Sequence, residues 1–364
     1  MIDTLRFLGF RFHPMPPSSH QPSPSPEVSG QVAHVLLVLN ERERGIFLSR
    51  VDASARASVG KWVESSSVHA PDAWLHLLNT FQPTVLVSSW STPPLPASWI
   101  SQNDCPLAYV CHLGGAVRQL LPREFLERGG IVTNWGTAAA AQVAEHALLL
   151  TLASLRKLPA WRPTAPSTNG SASAAPLTET LFGRRVGVHG CGGVARHFAR
   201  LIEPFGARVS CWSAGVPESV IRGHGMTPVA SLDDLFRTSD IVVDCEALTP
   251  ANRLSVGAAQ LALLPDGAHF VNVGRGHLVD ESALLREVLA GRLHVALDVM
   301  WTEPLPADSP WWSAPHTVLS PHIAGPTRDE TPLIGLRAWE NLHRFLAGRP
   351  VEPVVTLEIY DRST

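Results

Sequence analysis

Short apolar runs alternate with helix-sized segments along most of the chain from Val32 onward. This alternation is typical of βαβ units, in which buried parallel strands are joined by right-handed helical crossovers. The first block predicts strands at 35–39, 84–88, 107–111 and 131–134, with helices at 73–80 and 123–129. It ends on a predicted helix at 137–157, which is apolar on nearly every side and must therefore be covered over most of its surface.

A second block with the same alternation follows a low-complexity segment at residues 162–176. It predicts an open, doubly wound sheet of five parallel strands. The strands at 185–189, 208–212, 241–244, 268–273 and 294–298 are separated by helices at 194–204, 232–237, 258–263 and 281–291. A final amphipathic helix at 332–348 has no predicted strand after it, so we expect it to pack back onto the first block.

Proline and serine dominate the start of the chain, where residues 13–30 hold six prolines and five serines and little that could be buried. We predict a disordered extension over residues 1–30 and a loop over residues 158–177. The start lacks the apolar core and cleavage site of a secretory signal. No run approaches the roughly 18 apolar residues of a membrane span, so we expect a soluble protein without a membrane partner.

Composition narrows the class further, because 29 Lys and Arg residues against 32 Asp and Glu residues give a net charge of −3. That balance lacks the basic surface that nucleic acid selects, so no nucleic-acid partner is expected. The five cysteines are an odd number without a C-x-x-C pair, which argues against a disulfide framework and a zinc knuckle. We therefore expect a cytoplasmic protein without a metal site. A length of 364 residues suits two domains with a cleft between them.

A glycine-rich G-x-G-x-x-A motif, Gly190 to Ala195, follows the first strand of the second block and opens a helix. This context is typical of a dinucleotide-binding loop. Gly190 permits the tight turn, and Gly192 lets the backbone approach a pyrophosphate. The free N–H groups of Gly193 and Val194 would face that anion at the start of the helix.

Ser213 ends the next strand, at the position where an NAD-binding fold carries an acid that pairs with the adenosine ribose. Without that carboxylate, nothing at this position repels the 2′-phosphate of NADP. No arginine follows at once, because residues 214–216 are Ala, Gly and Val, and Arg222 lies far away. The cofactor is therefore NAD or NADP, and the missing acid favours NADP slightly.

Three ionisable residues follow strands of the second block: Arg275, Glu303 and His322. The carboxyl ends of parallel strands are where a doubly wound sheet binds its ligand. An arginine fork can hold a substrate carboxylate, and a histidine beside a carboxylate can exchange a proton with a carbonyl or hydroxyl. Each residue alone is more often structural, but their joint placement predicts a chemical site.

Six segments of the second block carry a resemblance to a known family. They are FGRRVGVHGCGGVA, SLDDLFRTSDIVV, LTPANR, LLPDGAHFVNVGRGHLVDESAL, ALDVMWTEPLP and SPHIAG, and GIVTNWGTAAAAQVAEHALLL precedes them. In order and spacing they resemble the D-2-hydroxyacid dehydrogenase family, which contains D-3-phosphoglycerate dehydrogenase and glyoxylate/hydroxypyruvate reductases. The resemblance covers roughly residues 32–350.

The resemblance implies an α/β fold of two doubly wound parallel-sheet domains, with a Rossmann NAD(P)-binding domain at 178–325 inserted into a flavodoxin-like substrate domain at 31–157 and 326–364. It implies an NAD(P)-dependent oxidoreductase that transfers a hydride between the cofactor and a small 2-oxo acid or D-2-hydroxy acid. It also implies a homodimer. Which 2-hydroxy acid is the substrate does not follow from the sequence.

Roles for individual residues also follow from the resemblance. Arg275 resembles the substrate-binding arginine, Glu303 the carboxylate that orients the histidine, and His322 the acid–base. Asp298 resembles the residue that holds the nicotinamide carboxamide. Four further residues are implied to line the cofactor: Leu248, Thr249, Val273 and Gly274.

The first block is implied to contribute a glycine-containing loop whose backbone N–H groups bind the substrate carboxylate. The corresponding residues are Leu113, Gly114 and Gly115, but the family's Asp or Asn after the glycines is lacking. Arg118 stands nearby, either to bind a second acidic group of the substrate or only to face solvent. His146, in a V-A-E-H word that recurs in the family, is interpreted as structural packing near the hinge.

Two alternative functions remain open on the same fold. Corepressors that resemble this family bind NAD(H) and keep the three residues without acting as enzymes. Formate and phosphite dehydrogenases form another branch, but the formate enzymes pair their histidine with a glutamine, where this chain has Glu303.

Overall fold

The computed structural model describes residues 33–158 and 177–362. The predicted extension at 1–30 and residues 159–176 of the predicted loop lie outside the described residues. Within these two ranges the chain forms two separate β-sheets, and every pairing between named strands is parallel. The predicted α/β class is thus confirmed. No helix in the described ranges is long and apolar enough to span a bilayer.

The first sheet has five strands in the order β2-β1-β3-β4-β5, the flavodoxin-like order. Its strands are β1 Val35–Leu39, β2 Lys61–Glu64, β3 Val85–Ser88, β4 Tyr109–His112 and β5 Ile131–Thr133. The prediction of four strands missed β2, because this edge strand has a charged residue at each end and no apolar run. By contrast, β1 is buried along its whole length, which is why its five apolar residues predicted it with the observed bounds.

Six α-helices lie in the described residues 33–155: α1 Glu41–Phe47, α2 Ala53–Ser58, α3 Pro71–Phe81, α4 Ala97–Ile100, α5 Glu124–Glu127 and α6 Ala140–Leu155. The predicted helix 137–157 was too long at both ends, because α6 covers only Ala140–Leu155. Helix α6 ends before Lys157, whose φ of +53° lies in the left-handed region that stops an α-helix. The helices α1, α2 and α4 were not predicted, because they are short and lack a helical apolar repeat.

The second sheet has seven strands in the order β12-β11-β10-β9-β6-β7-β8. Its strands are β6 Arg185–His189, β7 Arg208–Trp212, β8 Thr227–Pro228, β9 Ile241–Asp244, β10 His269–Asn272, β11 His294–Leu297 and β12 Thr317–Leu319. Relative to β6 this is the Rossmann order 3-2-1-4-5-6 with one strand added beyond β11. The prediction of five strands missed β8 and β12, which lie at the two edges and are only two and three residues long.

The remaining helices are α7 Gly193–Ile202, α8 Glu218–Gly223, α9 Leu232–Arg237, α10 Ala258–Leu263, α11 Glu281–Leu289, α12 Thr331–Leu346 and α13 Leu357–Arg362. As expected, α12 returns to the first sheet, where Ile334, Trp339 and Leu342 join the core that contains Leu37 of β1. The helix approaches α1 so closely that a side chain at Gly335 would collide with the backbone of Phe47.

Helix α6, which the predicted domain boundary at residue 157 assigns to the first block, packs against the second sheet. Its buried residues Ala144, Ala147 and Leu150 share a core with Val186 of β6 and Phe198 of α7. By packing, α6 therefore belongs with the second sheet, whereas strand counting assigned it to the first. An apolar pattern shows that a helix is covered but does not show which sheet covers it.

Candidate functional site

The three residues predicted to carry the chemistry meet at the carboxyl edge of the second sheet. Arg275 follows β10, Glu303 follows β11 and His322 follows β12. His322 Nδ1 lies 2.6 Å from Glu303 Oε2, while Glu303 Oε1 accepts a hydrogen bond from the Met300 N–H at 2.9 Å. The carboxylate is thus fixed by the backbone and in turn fixes the imidazole. Nδ1 is occupied, so Nε2 is the ring nitrogen that can exchange a proton with a ligand.

Arg275 is partly buried beside this pair. Its Nη1 donates to the Gly274 carbonyl at 2.7 Å, and its own carbonyl accepts from Asn272 Nδ2 at 3.1 Å. Burial lowers the pKa of the Arg275 guanidinium, and the negative charge of Glu303 partly opposes that shift. Even so, guanidinium stays protonated in proteins, so the site holds a fixed positive charge next to the His–Glu pair.

Asp298 lies directly under the histidine loop and is 1% exposed. Its Oδ1 accepts from Ser320 Oγ at 2.6 Å and from the Ile323 N–H at 2.9 Å, while Oδ2 accepts from the Ala324 N–H at 3.0 Å. The His322 N–H donates to the Asp298 carbonyl at 2.8 Å. These bonds hold His322 at a φ of +52°, in the left-handed region that few residues other than glycine adopt.

The same carboxylate is connected to α6. His146 Nε2 lies 2.9 Å from Ser320 Oγ and 3.4 Å from Asp298 Oδ1. Burial by itself would raise the pKa of the Asp298 carboxyl, but the hydrogen bonds from His146, Ser320 and the loop N–H groups outweigh it and lower that pKa. Asp298 is therefore a buried anion whose hydrogen bonds position the His322 loop. His146 contacts this carboxylate and Ser320 through Nε2, which the interpretation of His146 as structural packing did not include.

The glycine-rich loop lies at the carboxyl end of β6, on the same edge of the sheet. Gly190 has a φ of +96°, and a Cβ there would lie 2.9 Å from the backbone of Glu246. A Cβ on Gly192 would meet no atom within 4 Å, so this side of the loop is open to a ligand. The first hydrogen bond of α7 runs from the Arg196 N–H to the Gly192 carbonyl at 3.2 Å. The N–H groups of Gly193 and Val194 precede it and point out of the helix end.

The other predicted cofactor residues surround this loop. Thr249 belongs to a turn held by Asn252, whose side chain accepts from the Thr249 N–H at 2.7 Å and donates to the Ala247 carbonyl at 2.7 Å. Leu248 lies in the same turn, and Val273 is buried in the sheet core. The Gly274 backbone comes so close to the Glu246 carbonyl that a Cβ would lie 2.8 Å from it. The turn at 247–252 and the Gly274 backbone thus lie next to Glu246, which in turn packs against Gly190.

Ser213 has an acidic neighbour that the sequence did not reveal. Its Oγ donates to Glu246 Oε2 at 2.9 Å, although the two residues lie on different strand ends. Glu246 follows β9, which is the direct neighbour of β6 in the sheet. A carboxylate therefore occupies the end of β7 although the residue there is a serine.

Leu113, Gly114 and Gly115 lie in the first sheet's loop after β4. A side chain at Gly114 would collide with the His112 imidazole, and one at Gly115 would collide with the Trp135 indole. Their carbonyls accept from Trp135 N at 3.3 Å and Asn134 Nδ2 at 2.6 Å. Within residues 33–158 and 177–362, no hydrogen bond joins this loop to Arg275, Glu303 or His322.

His112 supports this loop from inside the first sheet, with Nδ1 3.0 Å from Ser88 Oγ and 4% of the residue exposed. Burial lowers the pKa of His112 from 6.5 to about 4. Between these two values the unfolded chain binds a proton that the folded chain excludes, so stability falls as the pH falls from 6.5 towards 4. We expect His112 to cost about 2 kcal/mol of unfolding free energy at pH 5 relative to pH 7.

Unfolding in urea at pH 7 and pH 5 measures this effect. The His112→Gln variant should lose about 2 kcal/mol less than the wild type between the two pH values, because glutamine retains a hydrogen-bonding group but does not titrate. The comparison removes the contribution of the other histidines, since both proteins contain them. Equal losses in the two proteins would contradict the assignment.

Arg118 contacts helix α13. Its guanidinium carbon lies 5.6 Å from the centre of the Tyr360 ring, and its Nη1 donates to the Asp361 carbonyl at 3.4 Å. The two readings of Arg118, binding a second acidic group of the substrate and facing solvent, both stay predictions.

No group of three or more metal-ligating side chains suited to a metal ion occurs in the described part of the chain. Sequence reasoning missed three residues that shape the site: Ser320, His146 as a partner of Asp298, and Glu246 as a partner of Ser213. The sequence gives a weak indication of both Ser320 and Glu246. Ser320 lies two positions before the predicted site residue His322, and Glu246 lies two positions after the predicted strand at 241–244. Their hydrogen bonds, however, cross 22 and 33 positions of the sequence, which no local pattern reveals.

Comparison with known proteins agrees with this arrangement. Residues 148–324 match the family described as D-isomer specific 2-hydroxyacid dehydrogenase, NAD binding domain. A 2-hydroxyacid dehydrogenase structure from Ketogulonicigenium vulgare Y25 superposes with a TM-score of 0.73 at 24% identity, covering 90% of this chain and 100% of that one. That likeness concerns the fold.

Two curated relatives have a higher sequence identity over a shorter part of this chain. A D-3-phosphoglycerate dehydrogenase of Methanocaldococcus jannaschii is 30% identical over 233 residues, 64% of this chain and 44% of that protein. This chain thus spans less than half the length of that relative. A hydroxypyruvate reductase of Thermotoga maritima is 31% identical over 227 residues, 60% of this chain and 71% of that protein. These matches confirm the resemblance: the chain belongs to the D-isomer specific 2-hydroxyacid dehydrogenase family.

Proposed function

We propose that this protein is a nicotinamide-dependent oxidoreductase that interconverts a small 2-oxo acid and a D-2-hydroxy acid. The observation that carries the proposal is the His322–Glu303 hydrogen bond beside the positive charge of Arg275. The three groups stand on the same sheet edge as the glycine-rich loop at Gly190. Family membership supports the same reaction class.

A dinucleotide fits the residues that are present. The open face at Gly192 and the free N–H groups at the start of α7 suit a pyrophosphate. When bound, the nicotinamide supplies or accepts the hydride. Leu248, Thr249, Val273 and Gly274 would line it, and Asp298 would lie beneath its carboxamide, with Oδ2 engaged by a single hydrogen bond from within the chain.

The chain's own residues have three tasks in this proposal. Arg275 holds the substrate carboxylate and polarises the carbonyl through its fixed charge. His322 gives a proton from Nε2 to the carbonyl oxygen during reduction and removes it during oxidation. Glu303 accepts from Nδ1, which keeps Nε2 towards the substrate and stabilises the protonated ring.

Residues of the first sheet complete the proposed site. We propose that the N–H groups of Gly114 and Gly115 bind the substrate carboxylate, whereas the Leu113 N–H already donates to the Ser88 carbonyl at 2.8 Å. We propose the division into a substrate domain at 31–139 and 326–364 and a cofactor domain at 140–325, with the boundary moved before α6. A homodimer belongs to the same proposal.

A spectrophotometric panel tests the function. Glyoxylate, hydroxypyruvate, pyruvate, phosphohydroxypyruvate and bulkier 2-oxo acids are offered with NADH and with NADPH, and loss of absorbance of the reduced cofactor is followed. Oxidation of the cofactor by at least one acid is expected. Binding of the dinucleotide without turnover of any acid would instead support the regulator. Reduction of NAD⁺ or NADP⁺ by formate, followed as a gain of absorbance, with no turnover of any 2-oxo acid would support the other branch of dehydrogenases.

A further inference from the structure

Glu246 occupies the place of the acid that is missing at the end of β7. Its Oε2 accepts the Ser213 Oγ–H at 2.9 Å, and its Oε1 accepts the Ala247 N–H at 3.1 Å. The side chain is half-buried, and both oxygens are fixed by neighbours. Ser213 therefore donates a hydrogen bond that holds the Glu246 carboxylate at the end of β7, where the serine itself supplies no acid.

The backbone of Glu246 is equally well fixed. Its N–H donates to Asp244 Oδ1 at 3.1 Å, and its Cα packs against Gly190, the first glycine of the phosphate loop. A Cβ on Gly190 would lie 2.9 Å from that Cα. Glu246 thus lies between the phosphate loop and the end of β7, the two places between which a Rossmann fold binds an adenosine ribose.

We infer that Glu246 selects NAD(H) against NADP(H), by accepting hydrogen bonds from the ribose hydroxyls and repelling a 2′-phosphate. This inference rests on the proposed dinucleotide-dependent function. It reverses the preference for NADP that Ser213 suggested in the sequence, because the carboxylate arrives from the neighbouring strand end instead of from β7 itself.

Two arginines of neighbouring elements have contacts of their own. Arg222 pairs with Glu218 at 3.1 Å on α8. Arg196 directs its Nε to the Cys191 carbonyl at 3.1 Å, within the phosphate loop. A 2′-phosphate at Ser213 would meet the carboxylate of Glu246, because Ser213 Oγ already lies 2.9 Å from Glu246 Oε2.

Measurement of nucleotide binding tests this inference independently of the catalytic proposal. The full chain is titrated calorimetrically with NADH and NADPH, and with AMP and adenosine 2′,5′-bisphosphate, which report on the adenosine end alone. We expect wild type to bind NADH and AMP at least about tenfold more tightly than their 2′-phosphorylated counterparts, since one charge-assisted hydrogen bond and one repulsion differ.

The Glu246→Gln variant keeps an acceptor for Ser213 and removes the charge, so the preference should shrink about tenfold or more. Asp266→Asn is the matched control, because it removes a carboxylate that is 89% exposed at the opposite edge of the same sheet; its preference should equal that of wild type. Thermal unfolding without ligand confirms that each variant is folded.

Three results would overturn the inference. Equal or tighter wild-type binding of NADPH removes its basis, and so does an unchanged preference in a folded Glu246→Gln variant. If that variant does not fold, the wild-type comparison of AMP with adenosine 2′,5′-bisphosphate still decides. Failure of wild type to bind any of the four probes would instead overturn the proposed function, and with it this inference.

Discussion

Replacing His322 with Gln is expected to lower the turnover of 2-oxo acid reduction by about 10²–10⁴-fold. Glutamine retains a polar group of similar reach next to Glu303, but it cannot supply a proton from Nε2 to the forming hydroxyl. The dissociation constant for the reduced cofactor should stay within about twofold of wild type, since the ring contacts Glu303 and not the phosphate loop. Steady-state kinetics and a cofactor titration on the same preparation measure both.

A surface histidine provides the control. His343 lies exposed on α12, so His343→Gln makes the same chemical change far from the three residues and should leave turnover unchanged. Turnover of the His322→Gln variant close to the wild-type value would exclude His322 as the acid–base. A matching loss of cofactor binding would show that the substitution had disturbed the loop instead.

Replacing Arg275 with Lys is expected to lower kcat/KM for the 2-oxo acid by about 10²-fold or more, chiefly through KM. Lysine keeps the charge but loses the two-pronged geometry that matches a carboxylate, and one charge-assisted hydrogen bond is worth about 1.5–3 kcal/mol. Arg275→Gln should lower kcat/KM further, to about 10³–10⁴-fold below wild type, because the positive charge is lost as well.

Arg237→Lys provides the comparison for this pair of variants. Arg237 lies on α9, where its exposed side chain pairs with Asp234 at 2.7 Å, and its replacement should leave kcat/KM unchanged. If Arg275→Lys and Arg275→Gln both bind and turn over the acid like wild type, the substrate carboxylate is held elsewhere. A loss confined to kcat would assign Arg275 to the carbonyl rather than to the carboxylate.

Elements that bury a continuous apolar run could be predicted from the sequence to the residue. The strands β1, β6 and β9 have the bounds that their patterns indicated, because central parallel strands are buried on both faces. Edge strands such as β2 and β8 carry charge or proline and have no such run. The sheet against which α6 packs depends on tertiary contacts, which an apolar pattern does not specify.

Some residues of the candidate site could likewise be predicted from the sequence, and others could not. Arg275, Glu303 and His322 could be found because strand ends in a doubly wound sheet converge on one edge. The acid next to Ser213 could not, because Glu246 reaches that position from β9 across the phosphate loop. Inspection of the residue after β7 shows that the expected acid is missing there. It does not show that a carboxylate from the end of a neighbouring strand reaches the same place.

The hydrogen bonds on Asp298 have an entropic consequence. They hold residues 320–324 in place, including the left-handed backbone at His322. Ordering a loop residue costs about 1–2 kcal/mol of conformational free energy. Because these hydrogen bonds form within the chain, that cost falls on folding. In the proposed reaction, the free energy released when a substrate enters would then be available for affinity and orientation.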